Sequence, residues 1–418
     1  MTGGRGDALP QGVPMKRWRL LILICMLLLT VSCAAWMDRQ EPPRKPPRPT
    51  ADVRFPAMET ADTAGGIDDL DIPSLETAID RSLRYYENTK ESSFRFHDRV
   101  ISVSELKSTL IDFRAIIRSA DPGEIKISRI KESFEFISLP GQDVQRAVIF
   151  TGYYVPTLEG ARVKTERYRY PIYGKPDDLT VVNLGKFNAK YKGEQLIGRI
   201  ERGELLPYHS RDEIDRKGAL KGRNLEFLWV DDPVALYFLH IQGSGKIRMP
   251  DGQMIVISYA QSNGHPFRPL SRTLIEKEKL TTAEISYAGI MDYLKRNPSE
   301  IEDLFSCNDR YIFFRRVERD PLGSLQFPVT SGRTIATDPD VFPKGSLALI
   351  RTQKPLFDAN GQIRQWVPIS RFVLNQDAGA AIKGPGRVDI FCGDGPNAEQ
   401  LAGSLKEKGD IYIMLRKN

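Results

Sequence analysis

With 418 residues, 41% of them hydrophobic and 27% charged, the chain has an ordinary globular composition and room for two domains. Its formal charge is +6, yet four basic residues (Arg5, Lys16, Arg17, Arg19) and one acidic residue (Asp7) precede Cys33. The remainder carries 56 Lys and Arg against 53 Asp and Glu, or +3, which argues against nucleic acid or another polyanion as partner.

Residues 15–33, MKRWRLLILICMLLLTVSC, have the form of a secretory signal: a basic start, an apolar run over 20–29, then small residues up to Cys33. The run falls short of the roughly 20 residues of a transmembrane helix. Met15 is a more natural start than Met1. Thr30-Val31-Ser32-Cys33 is similar to a bacterial lipoprotein cleavage site, with Thr30 where that pattern prefers Leu. Cys33 is then the lipidated residue, and Ala34 after it implies an outer-membrane lipoprotein facing the periplasm of a Gram-negative bacterium. A plain signal peptide or an uncleaved anchor is the alternative. Residues 34–60 read as a tether, its Pro and Arg concentrated in 41–56. Beyond the signal only Cys307 and Cys392 remain, too few for a disulfide framework, although one bridge is open to them.

From 68 to about 139 the pattern is helical. Leu75, Ile79 and Leu83 recur behind Asp71 and Pro73-Ser74, and Val103-Ser104-Glu105 opens a second helix that ends at Asp121-Pro122-Gly123. The texture then becomes β. A strand is expected over 148–156, a second over 168–173, and a turn into a short helix over 208–214. Residues 231–245 suit a short helix or an extended run ending at a glycine turn. Asp251-Gly252 marks a hairpin within 249–260. A helix over 282–296 stops at Asn297-Pro298, and strands fill the last hundred residues.

The chemistry converges on residues 376–393, QDAGAAIKGPGRVDIFCG, where Asp377 and Asp389 bracket a small-residue run and a tight turn. Strand alternation puts Val388 and Ile390 on one face and Asp389 on the other with Arg387 and Phe391. The residues alone leave open a solvent-facing strand that happens to carry Arg and Asp. Other chemistries drop out. Gly243-Ser244-Gly245-Lys246 lacks the spacing and the Ser or Thr of a phosphate loop. The four histidines have no metal-ligand spacing, so neither metal nor cofactor is expected. Trp229, Tyr237, Phe267 and Trp366, with Gln242, Asn263 and Gln376, form an inventory that suits a carbohydrate groove and equally an ordinary core.

Five blocks in order, 150–156, 238–252, 259–270, 332–346 and 376–403, resemble the membrane-bound lytic murein transglycosylase A family. The last two resemble its three-aspartate domain, with Asp338, Asp377 and Asp389 as the aspartates. The resemblance implies a mainly β fold with N-terminal helices. A double-psi β-barrel is built from residues 61–155 and 318–418, a second barrel-like domain is inserted over 156–317, and a groove lies between them. It implies cleavage of peptidoglycan strands between N-acetylmuramic acid and N-acetylglucosamine, the muramyl C6 hydroxyl acting as nucleophile and leaving a 1,6-anhydro end. A single acid, Asp389, then suffices where other glycosidases need a carboxylate pair, and it must start protonated. Asp377 supports it, and Asp338 is structural. Thr151, Tyr153, Tyr154, Gln242, Gly243, Ser244 and Gly245 are expected to bind glycan, and His265 to be structural. Ala380 stands where the family often has Gly. An inverting hydrolase, with Asp377 or Asp338 as base, and a catalytically silent peptidoglycan-binding lipoprotein are the alternatives. Cell-wall partner proteins are not identified by the sequence.

Overall fold

The structure, a computed structural model, describes residues 68–138, 148–191, 193–318 and 320–417; the expected signal, Cys33 and the tether lie outside them. Helix Ile72–Asn88 begins where the capping signals put it: Asp71 accepts the Ser74 N–H, and Leu75, Ile79 and Leu83 line the buried face. Helix Val103–Arg118 buries Leu106, Leu110, Phe113, Ile116 and Ile117. The region is not helical throughout. β1 (Ser93–Phe96) and β2 (Arg99–Ser102) form a hairpin between the helices, and β3 (Phe134–Ser138) follows a third helix, Gly123–Ser133. The sequence signal is a two-residue alternation too short to stand out. Phe94 and Phe96 flank Arg95, and Phe134 and Phe136 flank Glu135, with the aromatic rings buried. The second helix ends at Arg118, before the expected Asp121-Pro122-Gly123 stop, and Pro122 occupies the N-cap of the third.

β4 (Val148–Val155), β5 (Thr157–Ala161), β6 (Tyr170–Tyr173), β7 (Leu179–Asn183), β8 (Gln195–Glu201) and β9 (Glu204–Pro207) come next. After the short helix Arg211–Asp215 and β10 (Glu226–Val230), residues 231–245 resolve as a helix, Pro233–Gln242, that Asp232 caps and Gly243 ends at φ 78°. β11 (Ser244–Arg248) and β12 (Met254–Ser262) make the expected hairpin. Helices Leu270–Glu276, Tyr287–Arg296 and Ile301–Ser306 precede β13 (Ile312–Val317). The last part holds β14 (Thr334–Thr337), β15 (Leu347–Phe357), β16 (Ile363–Ala378), β17 (Arg387–Asp394), helix Gly395–Ser404 and β18 (Lys406–Arg416).

Strands β15, β16, β14, β17, β4 and β18 lie side by side, and β18 pairs again with β15, so the sheet closes on itself; β3 adds to β18. β14–β16 and β17–β4 are parallel among antiparallel neighbours, as the double-psi barrel requires. Val148, Phe150, Val388 and Ile390 share its core with the N-terminal helices. A second barrel runs β13, β12, β11, β5, β10, β6, and a bridge between Gly174 and Phe314 joins its ends. Leu158, Ile172, Val230, Ile247, Ile257 and Phe314 fill it. A mainly β fold with N-terminal helices and two barrels is thus what the sequence led to expect.

The N-terminal segment is fastened to the first barrel by a fully buried guanidinium. Arg333, 0% exposed, ion-pairs with Asp68 at 2.6 Å and donates to the carbonyls of Phe372 and Asp71 at 2.9 and 2.7 Å and to Ser74 Oγ at 3.0 Å. Replacing it leaves Asp68 without its counter-ion and several acceptors without donors. Arg333→Met is expected to lower the unfolding free energy by about 3–5 kcal/mol in urea titrations; a loss below about 1 kcal/mol, the range of surface pairs, would show that the clasp is not structural.

Candidate active site

Strand register brings the chemistry to one level of the first barrel. Ala336 on β14 pairs with Asp389 on β17 on one side and with Asp377 on β16 on the other, and Asp389 pairs in turn with Thr151 on β4. Directly paired residues share a face of the sheet, so the two aspartates and Thr151 point the same way, away from the Val388 and Ile390 core. The small Ala336 lies between the carboxylates.

Asp389 is 9% exposed, which excludes the solvent-facing reading of its strand. Arg387, two residues back on the same face, grips it with a fork: Nε to Oδ1 at 2.9 Å and Nη2 to Oδ2 at 3.0 Å. The Thr151 hydroxyl donates to Oδ1 and accepts from Arg387 Nε at 3.3 Å. The alternation of β17 put Arg387 beside Asp389, but nothing local indicated that it would occupy both oxygens.

Asp377 reaches this face through a bulge. Ile335 pairs with Asn375 but Ala336 with Asp377, so Gln376 is an extra residue on β16. Without it, simple alternation would send Asp377 to the face opposite Asp389. Gln376 is itself pinned: its amide donates to Ala78 O at 2.7 Å and Ser82 Oγ at 2.9 Å, and its oxygen accepts from Thr334 at 2.7 Å. The Asp377 carboxyl accepts from Tyr153 Oη at 2.8 Å, Ser324 N at 2.9 Å and Ala378 N at 2.8 Å. Burial raises its pKa to about 6; these three hydrogen bonds oppose the rise, and the charge of Asp389 adds to it. The Tyr153 ring lies 5.2 Å from that of Phe391, on the same face as both carboxyls.

The remaining candidates separate into two groups. Thr151 and Tyr153 touch the aspartates. Tyr154 does not: on the other face of β4, its ring is buried with Ala398 and Ala402 of helix Gly395–Ser404. Gln242 is spent on structure, its side-chain oxygen accepting the Tyr154 N–H at 3.1 Å. Ser244 Oγ meets Ser258 Oγ at 3.1 Å. Gly243 serves the left-handed helix end, and a Cβ at Gly245 would stand 2.4 Å from Leu239 Cδ1. None of these four contacts the carboxyls. Asp338, 5% exposed, holds the turn before β17 by accepting from Gly384 N at 2.7 Å and Lys383 Nζ at 3.4 Å. His265 Nε2 bonds Tyr208 O at 2.7 Å. Ala380 takes no positive φ, so its methyl is accommodated. Cys307 and Cys392 are unpaired, and no metal-binding cluster occurs among the described residues.

Comparison with known proteins yields matches along most of the chain. The MltA specific insert domain family matches residues 149–315, and the 3D domain family matches 333–415. Membrane-bound lytic murein transglycosylase A of Escherichia coli (strain K12) is 27% identical over 279 residues, covering 66% of this chain and 68% of that protein. The crystal structure of MltA from Neisseria gonorrhoeae, monoclinic form, is 30% identical with a TM-score of 0.62, over 82% of this chain and 87% of that one. A membrane-bound lytic murein transglycosylase from Agrobacterium tumefaciens is 29% identical with a TM-score of 0.68, over 83% and 93% of the two chains.

The raised pKa of Asp377 has a measurable consequence. Between about pH 4 and 6 the native chain keeps a proton that the unfolded chain, with an ordinary carboxyl, has already lost. The resulting stability is full below pH 4 and is lost as pH climbs through 6. In urea titrations the stability of the parent relative to Asp377→Asn is expected to fall by on the order of 2 kcal/mol from pH 4 to pH 6.5. A difference that does not change with pH would refute the burial argument.

Proposed function

The chain belongs to the membrane-bound lytic murein transglycosylase A family, and we propose that it cuts the β-1,4 bond between N-acetylmuramic acid and N-acetylglucosamine without water. In this reading Asp389 gives a proton to the departing glycosidic oxygen. The muramyl C6 hydroxyl then bonds to its own anomeric carbon, and Asp389 takes the hydroxyl proton back, leaving a 1,6-anhydro end and the acid restored. Thr151 and Arg387 fix the carboxyl in place. Because Arg387 holds both oxygens, one of its N–H groups must withdraw when the glycan enters so that Asp389 can carry the proton.

The observation that carries this reading is the unequal state of the two carboxyls. Asp389 is held by side chains that can move, whereas Asp377 is committed to two backbone N–H groups and the Tyr153 hydroxyl. A carboxyl so engaged is poorly disposed to activate a water, which an inverting hydrolase demands of its second group. Asp377 acts instead by holding the Tyr153 hydroxyl beside the site. Thr151 and Tyr153 line the glycan path, and Asp338 shapes the turn that carries β17 back.

The family relation supports association with a membrane. Among the described residues no helix is long and apolar enough to cross one. Attachment through a lipidated Cys33 to the outer membrane, with residues 34–60 as tether, is the arrangement that the N-terminal sequence favours.

Digestion of purified sacculi followed by mass analysis is the test. Products lighter than hydrolytic muropeptides by one water are expected, and Asp389→Asn is expected to lower their yield about 10²–10⁴-fold while leaving the unfolding curve nearly unchanged. Reducing ends in place of anhydro ends would establish a hydrolase. No cleavage by the parent would leave the binding-lipoprotein reading, and an Asn variant as active as the parent would remove Asp389 from the chemistry.

A further inference from the structure

Beside the carboxyls lies a cavity whose chemistry the bond cleavage does not use. It holds about 500 Å³ between residues 264–267 and 269 of the second barrel's side and residues 380, 381 and 387 of the first. Two guanidinium groups line it, Arg387 and Arg310. Arg310 makes one side-chain hydrogen bond, Nη1 to the His265 carbonyl at 3.2 Å, and no carboxylate among the described residues pairs with it. The fully buried arginines differ: Arg211, Arg333 and Arg371 each pair with an aspartate. Burial pulls the Arg310 guanidinium below the usual arginine range, with Tyr259 acting the other way, yet arginine stays cationic at neutral pH. Half-buried at the cavity wall, Arg310 keeps most of its five donors unspent, a planar fork suited to an incoming carboxylate.

Phe267, Ala380 and Ala381 add an apolar wall next to these cations. An anion carried on a short aliphatic arm matches both features. If the substrate is peptidoglycan, the reading on which this inference rests, such an arm hangs from C3 of muramic acid. It is the lactyl ether, whose carboxyl is either free or amide-linked to a peptide bearing carboxylates. We infer that the cavity takes a carboxylate of the muramyl C3 substituent, with Arg310 as its principal cation and Arg387 as a shared one. A carboxylate there competes with Asp389 for the Arg387 fork. Drawing the fork away frees the oxygen that has to carry the proton, so recognition of the substituent readies the acid.

The test compares kcat/KM for anhydro-end formation on three substrates: strands with peptide stems, amidase-stripped strands with free lactyl carboxylates, and stripped strands whose lactyl carboxyl is a neutral methylamide. The parent is expected to prefer at least one carboxylate-bearing substrate over the methylamide by about tenfold or more. Arg310→Gln should shrink that ratio to within about threefold, and Arg310→Lys should keep most of it. A shrinkage confined to stem-bearing strands assigns the site to a stem carboxylate, and one on stripped strands assigns it to the lactyl carboxylate. Equal rates of the parent on all three substrates, or an equal loss on all three in Arg310→Gln, overturn the inference and leave the cleavage reading intact. A parent that forms no anhydro ends from any of them overturns the cleavage reading, and the inference falls with it.

Discussion

One extra residue in β16 governs the site. The bulge at Gln376 turns Asp377 onto the face that Asp389 occupies, and both then flank Ala336 at the same level. A bulge is stable only if its unpaired residue finds other partners. Here the Gln376 side chain bonds helix Ile72–Asn88 through Ala78 and Ser82 and bonds β14 through Thr334. That helix is held in turn by the buried Arg333–Asp68 pair. The N-terminal helices are therefore more than packing, because they brace the backbone that aims a carboxyl. Closure of the barrel completes the constraint, since a sheet without edges cannot slip by one residue without breaking every pair around the ring.

Within this frame the two aspartates have different surroundings. Asp389 sits under a guanidinium fork and a hydroxyl, all on side chains. Asp377 sits in a low-dielectric niche with two backbone donors, where burial holds its proton to about pH 6. Arg387 links this pair to the cavity that also contains Arg310, so charge arriving in the cavity acts directly on Asp389.

The second barrel meets the first through a small set of polar contacts and close packing. Gln242 holds the backbone at Tyr154, Lys246 pairs with Asp394, and Ser258 accepts the Leu322 N–H at 3.1 Å. The glycine-rich stretch 243–245 leads into Lys246 at this junction. Gly243 ends a helix in the left-handed conformation, and Gly245 packs against Leu239. Sequence inspection could not separate these uses, because a missing Cβ looks the same whichever neighbour requires it.

By itself the sequence determined what depends on near neighbours in the chain. The capped amphipathic helices at 72 and 103, the Asp251-Gly252 hairpin and the facing of Asp389 away from Val388 and Ile390 follow from periods of 3.6 and 2 that any stretch carries in its own letters. The resemblance of five ordered blocks added the two-barrel fold and the choice of aspartates. Tertiary structure alone decided the rest. Thr151 reaches Asp389 across 238 positions and Tyr153 reaches Asp377 across 224, pairings that exist only because strands from both ends of the chain close one barrel. The bulge that aims Asp377, the burial of Tyr154 and the unpaired cation at Arg310 depend likewise on what the fold places beside them. Local periodicity records which way a side chain points; only packing supplies what it meets there.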